Sequence, residues 1–213
     1  MMEVVFTAIF IFIAAIIFAL WEIEIEGKNG WAGKLPTWYK KSGFSKVFSN
    51  LAAKRPLSGY HMMMLLFMLF IFHSAFFFGV PWSPINEMDV LIAMLLFLLI
   101  EDFLWFEFNP YYGLKKFKKE KIWWHGKGKW FFDLFPLEYL RGIFFLIVLI
   151  VVSALAFGNK EFLDNYLIII GASIILIILS VPIVKPYHSW YKKMRKLDES
   201  RAFDRKIKFD ENY

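Results

Sequence analysis

The chain contains no cysteine. That absence excludes disulfides, thiolate metal sites and thiol nucleophiles, while the redox compartment stays open, because oxidising and reducing surroundings are both compatible with it. A phosphate-binding loop, a dinucleotide fingerprint and a nucleophile elbow are also missing, as are the metal spacings H-x-x-x-H, H-E-x-x-H and D-x-D. No repeat of fixed period is present. A cleavable leader is not read either: the first apolar run has no cation before it, holds Glu3 and ends Phe18-Ala19-Leu20-Trp21 without a small-x-small pattern, as a retained helix would.

What is present is hydrocarbon. Of the 213 residues, 59% are apolar and 21% aromatic, and the mean hydropathy is +0.50; soluble domains run nearer 45–50% apolar. The apolar residues gather in runs long enough to cross roughly 30 Å of hydrocarbon at 1.5 Å per residue. Five spans are predicted, at 2–21, 61–80, 88–108, 139–157 and 166–184. The fold class is therefore an all-α integral membrane protein, a bundle of five transmembrane helices in a single membrane domain, 1–184. Short turns at 81–87 and 158–165 make two helical hairpins. Small residues predict the packing faces: Ala15 and Ala19, Ser153 and Ala154, Gly171 and Ala172.

The formal net charge is +6. Its placement decides between nucleic acid and topology. Seven Lys/Arg lie in 22–60, seven more between Lys115 and Lys129, Arg141 opens span four, and nine follow span five; Lys160 is the one exception. Cations on alternate connections are the positive-inside pattern, which puts the N-terminus outside and the C-terminus inside a cell membrane crossed several times. The charge then serves topology and attraction to anionic lipid head groups, not nucleic acid. The inner segments 22–60 and 109–138 are read as interfacial amphipathic pieces. In 43–53, Phe44, Val47, Phe48 and Leu51 recur at helical spacing. Segment 109–138 mixes lysines with Phe117, Trp123, Trp124, Trp130, Phe131 and Phe132, an anchor composition. Residues 185–213 form a basic cytoplasmic tail.

Against this background two adjacent acids, Glu101 and Asp102, interrupt the run from Met88 to Phe108. A carboxylate inside a membrane helix costs on the order of 2.5–3.5 kcal/mol on insertion scales, so such residues mark a site or a buried pair. On a helical wheel Glu101 and Trp105 share a face, Asp102 lies 100° further round, and Asn109 falls between the two acids. Glu107 points to the opposite side, where it can snorkel to water. Arg141 is the expected ion-pair partner. Glu22, Glu24 and Glu26 add acid where span one ends, at the same inner mouth. His61, His125 and His188 share that face, whereas His73 sits deep in span two, hydrogen-bonded to a helix neighbour.

The functional expectation is a cytoplasm-facing acidic and histidine site acting on a membrane-dissolved lipid or isoprenoid. Catalysis is assigned to Glu101, Asp102 and His125, and substrate binding to Asn109, Arg141, Trp105 and Trp124. A divalent metal is the cofactor this donor set could take, with Glu101, Asp102, His61 and His125 as candidate ligands. The competing class is a proton or cation relay through His73, or a non-catalytic assembly subunit. A transporter should place polar residues at the midplane with a path to both sides.

Overall fold

The computed structural model describes residues 2–40, 43, 45, 48–49, 55–126 and 128–210; side chains are described except at 123, 126 and 197–210. Five long helices dominate: α1 (Met2–Glu26), α2 (Gly59–Phe77), α3 (Pro84–Phe108), α5 (Leu137–Ala156) and α6 (Lys160–Asp210), with a four-residue α4 (Trp123–Gly126). Four of them are long and apolar enough to cross a membrane: α1, α2, α5 and the Lys160–Lys196 part of α6. α3 differs through its five acids, Glu87, Asp89, Glu101, Asp102 and Glu107. It is also the helix around which the others pack, touching α1, α2, α5 and α6.

Local chemistry explains the boundaries. Ser83 caps α3, accepting a hydrogen bond from the Asn86 backbone N–H, with Pro84 in the first turn where its missing N–H costs nothing. Ser58 caps α2, accepting from the His61 backbone. Asn109 ends α3, since Pro110 cannot continue the helix. The expected end of span five is not seen: α6 runs on through Pro182 and Pro186 into the basic tail. Membrane-type helices tolerate proline better than soluble ones.

The core forms where α1 crosses α3. On α1 the residues Ala8, Ile11, Ala15, Phe18, Ala19, Glu22, Ile23 and Glu26 are buried, a stripe at steps of three and four that the helical period places on one face. Ala8, Ala15 and Ala19 are fully buried and let the backbones approach. Ser153 and Ala154 are buried as well. Gly171 is not a point of close approach: a Cβ there would meet nothing within 4 Å. The outward faces carry Phe6, Phe10, Ile13 and Ile17 on α1 and Met63, Leu66, Phe67 and Phe70 on α2, all exposed. Apolar surface this continuous is foreign to soluble monomers.

The connections between helices fold over one end of the bundle. Residues 27–40 leave α1 and return through β1 (Tyr39–Lys40), which pairs antiparallel with β2 (Leu57–Ser58). The long stretch after α3 makes a 3₁₀ turn (Leu114–Lys116), α4, and a two-stranded hairpin of β3 (Trp130–Phe131) with β4 (Phe135–Pro136). It does not lie wholly in an interface: Ile122 and Trp124 are buried in the core cluster, whereas Phe131, Phe132, Leu134 and Phe135 are exposed. Asn109 Nδ2 donates to Gly27 O at 2.9 Å and the Tyr112 hydroxyl to Lys28 O at 2.8 Å, stapling the two connections together. The amphipathic pattern expected over 43–53 lies largely outside the described residues; Phe48 is described and stacks on Trp31 at 6.1 Å.

Overpacking the α1–α3 crossing should be costly. Ala15→Leu is expected to destabilise by ~1–3 kcal/mol, read as a lower melting temperature in detergent, while Ile13→Leu on the exposed face of the same helix leaves the melt unchanged.

Candidate functional site

The buried stripe of α1 ends in two acids, because Glu22 and Glu26 follow Phe18 and Ala19 at the same helical period. Across the crossing, α3 buries Glu101 beside Ile100, Leu104 and Trp105. Glu22 and Glu101 therefore face one another across the crossing. Around them lies a cavity of about 250 Å³. Its polar wall holds Glu22, Glu26, Arg55, His61, Glu101, Asp102, His125, Glu138 and Tyr139. Its other wall is apolar: Phe18, Met64, Leu65, Met68, Leu95, Leu98 and Leu99.

The polar side chains are held from three directions. Gly30, Trp31 and Ala32 all take positive φ, at 61°, 44° and 51°, which folds the chain back over the end of α1; for the two non-glycine residues this is strained backbone. Glu26 anchors the turn by accepting from the Ala32 backbone N–H. A Cβ on Gly30 would lie 2.6 Å from the Trp124 ring, so only glycine fits there. Trp31 is thereby set against His61, ring centroids 3.9 Å apart, and under the Arg55 guanidinium at 3.8 Å. His61 Nδ1 lies 2.6 Å from Ser58 Oγ, which aims Nε2 at Glu26 Oε1, 3.6 Å away.

The third direction is the first turn of α5. The Tyr139 hydroxyl donates to Asp102 Oδ2, and Glu138 faces His125, its Oε2 3.8 Å from Nδ1. That separation exceeds hydrogen-bonding distance. His125 is otherwise enclosed, with Trp130 Nε1 donating to its carbonyl and Trp124 and Tyr139 rings alongside. Burial pulls the His125 pKa below its ordinary value, with Glu138 opposing the shift, so the imidazole is neutral at neutral pH and free to accept a proton. Burial likewise lowers the Arg55 pKa, Asp102 opposing it, without discharging a guanidinium. Among the described residues around the cavity, Glu101 Oε1, Trp105 Nε1, His125 Nδ1 and Glu138 Oε2 are buried with no hydrogen-bond partner.

The cavity thus gathers Glu101, Asp102, His125, His61, Trp105 and Trp124. It excludes Asn109, whose side chain is saturated by Gly27 O and the Tyr111 backbone N–H. It also excludes Arg141, which is exposed on α5. The cation at the acids is Arg55, from the connection before α2. Arg55, Trp31, Glu138 and Tyr139 are site residues that the sequence pattern does not single out. Glu138 looks in sequence like an ordinary acid at a helix N-terminus, and nothing in the order of residues places 55 beside 101. Glu107 does not snorkel. It is 1% exposed, and neither carboxylate oxygen has a hydrogen-bond partner. The continuation of α6 covers that end, with Tyr187 against Phe108 at 5.7 Å and His188 Nε2 3.2 Å from Glu107 O. His73 bonds its own helix at Leu69 O, 2.6 Å, and pairs with Glu87 at 3.1 Å. Among the described residues no three His, Asp or Glu side chains gather as a metal-binding group, so Glu101, Asp102, His61 and His125 line one cavity without forming a ligand set.

A neutral buried His125 makes stability pH-dependent with a definite sign. The unfolded chain binds the proton at about pH 6.5, above the folded value, so stability is complete above that pH and falls as pH drops through the interval between the two. His125→Gln should flatten this acid-side slope in a melting-temperature series; an unchanged slope counts against a neutral buried imidazole.

The chain matches no family model, no curated protein and no solved structure, so the geometry of this cavity is what bears on its function.

Proposed function

We propose that the protein is a five-span integral membrane protein, with its N-terminus outside and C-terminus inside, whose cavity performs acid–base chemistry on a membrane-dissolved amphiphile at the cytoplasmic leaflet. The observation that carries the reading is the two-walled cavity: acids and histidines meet at one end and seven apolar side chains line the other. A lipid-like molecule is divided the same way, into a polar head and a hydrocarbon tail. Partly apolar pockets with a few convergent polar groups are the usual form of a ligand site.

The fifth span is α3. Its 25 residues reach ~37 Å at 1.5 Å per residue, and of its acids Glu101 and Glu107 are buried within the bundle. The loops carrying most of the lysines fold over the same end of the bundle as the cavity, which agrees with the positive-inside orientation. Lys115, Lys116 and Lys118 are exposed there and suit anionic lipid head groups at the rim.

In the reaction, Glu101 presents an unpartnered oxygen to the head of the substrate and transfers a proton to or from it. Asp102, oriented by the Tyr139 hydroxyl, holds charge beside the reacting centre. Neutral His125 handles the second proton, with Glu138 stabilising the imidazolium that forms. A relay across the membrane is less well supported. Residues 90–100 of α3 are all apolar, and Ile92, Leu96 and Phe97 are buried between the cavity and the His73–Glu87 pair.

Glu101→Gln and Asp102→Asn are expected to keep the melting profile while abolishing conversion of the lipid in membrane extracts; wild-type turnover in both would overturn the reading. A reporter active only outside the cell, fused after Tyr213, should be silent, and a bright signal would reverse the orientation.

A further inference from the structure

We propose that the amphiphile taken by this cavity carries a positively charged, hydrogen-donating head, an ammonium on a hydrocarbon tail, and that it enters laterally between α1 and α2. The inference rests on reading the cavity as a substrate site and narrows the class of substrate.

The charge of the wall decides the head group. Among the described residues, five carboxyl side chains line the cavity against one guanidinium, that of Arg55, and Arg55 is already stacked over Trp31. An anionic head placed there would meet carboxyl oxygens on most sides, whereas an ammonium brings the N–H donors that those oxygens take. The unpartnered acceptors point the same way, while the Trp105 Nε1 donor is left for an oxygen of the same ligand. Glu101, 7% exposed, has an oxygen with no hydrogen-bond donor, and so does Glu138. A buried acceptor without a donor is a standing cost that a ligand N–H relieves. Trp105 and Trp124 also line the cavity, as an edge-to-face pair with centroids 5.5 Å apart.

The tail has a place prepared for it. Outside the cavity, between the ends of α1 and α2, a groove of about 760 Å³ is lined by Trp21, Ile25, Trp38, Met63 and Phe67. Met64 lines both groove and cavity, so this one flexible side chain forms the partition between them. Trp38 lies flat on the start of α2, where a Cβ on Gly59 would come within 2.5 Å of its indole. Tyr60, also lining the groove, has a buried hydroxyl without a partner at this junction. The groove therefore leads from lipid-facing surface to the acids.

The test is a tryptophan-fluorescence titration of the purified full chain in nanodiscs of fixed neutral lipid, at neutral pH, with dodecylamine, dodecanol and dodecyl phosphate. Dodecylamine, protonated under these conditions, should saturate at a concentration at least about tenfold below the other two. Glu101→Gln should weaken its binding by about tenfold, whereas Arg55→Gln should leave it unchanged or tighten it, because the competing cation is gone. A merely unfolded variant weakens both, so the opposite signs carry the result. Tighter binding of dodecyl phosphate, or equal weakening by the two substitutions, overturns the proposal. Saturable ammonium binding in a protein that converts no lipid keeps the head-group assignment and removes the catalytic reading. Turnover of a neutral or anionic lipid instead keeps catalysis and removes the ammonium assignment.

Discussion

The crossing of α1 over α3 is the constraint on which the rest of the molecule depends. On the bundle-facing side of α1, Ala8, Ala15 and Ala19 are fully buried, and small residues let helix backbones approach. The next residues on the same face, one and two turns further along, are Glu22 and Glu26, and the close approach buries them too. A helix cannot change which face it presents without a kink, so a stripe that begins as small apolar packing in the middle of the bundle must end as carboxyls against Glu101. The acids are buried together because the alanines upstream pack well.

The connections then roof a charged bundle end into a half-open cavity. The turn at Gly30–Ala32 is strained, and it is held by Glu26, by the Asn109 and Tyr112 staples, and by the flush contact of Gly30 with Trp124. Burial raises the value of every polar interaction inside, since charge is screened far less away from bulk water. It also explains why the acids are individually managed: Glu26 beside His61, Asp102 under Tyr139, Glu138 facing His125. Glu101 has an oxygen that no described protein group satisfies, and it lies where the polar and apolar walls meet.

Some of this was legible in the residue order and some was not. The helices were, because runs of hydrocarbon long enough to cross a bilayer have few other solutions. Glu101 and Asp102 stood out for the cost of burying them, and Trp105, Trp124, His61 and His125 stood near them on one side of the predicted topology. Arg55, Glu138 and Tyr139 were invisible as site residues: each belongs to a connection or first turn whose path depends on long-range contacts. Arg141 was the natural partner by level along the helices, yet it lies on the exposed face of α5. Asn109 looked like part of a polar stripe and is a staple instead.

Taken alone, the sequence determined the all-α class, the positions of the long apolar helices apart from the end of α6, and the presence of acids too costly to be casual inside one helix. These follow from local rules: helical period, span length and the energetics of charge in hydrocarbon. Only the tertiary structure decided which acids face one another, which cation joins them, that the end of α6 covers Glu107, and that the site has a polar and an apolar wall. Those depend on how the helices rotate about their own axes and on how the connections return across them. Rotation is set by packing shape between segments far apart in the chain, and no local pattern encodes it.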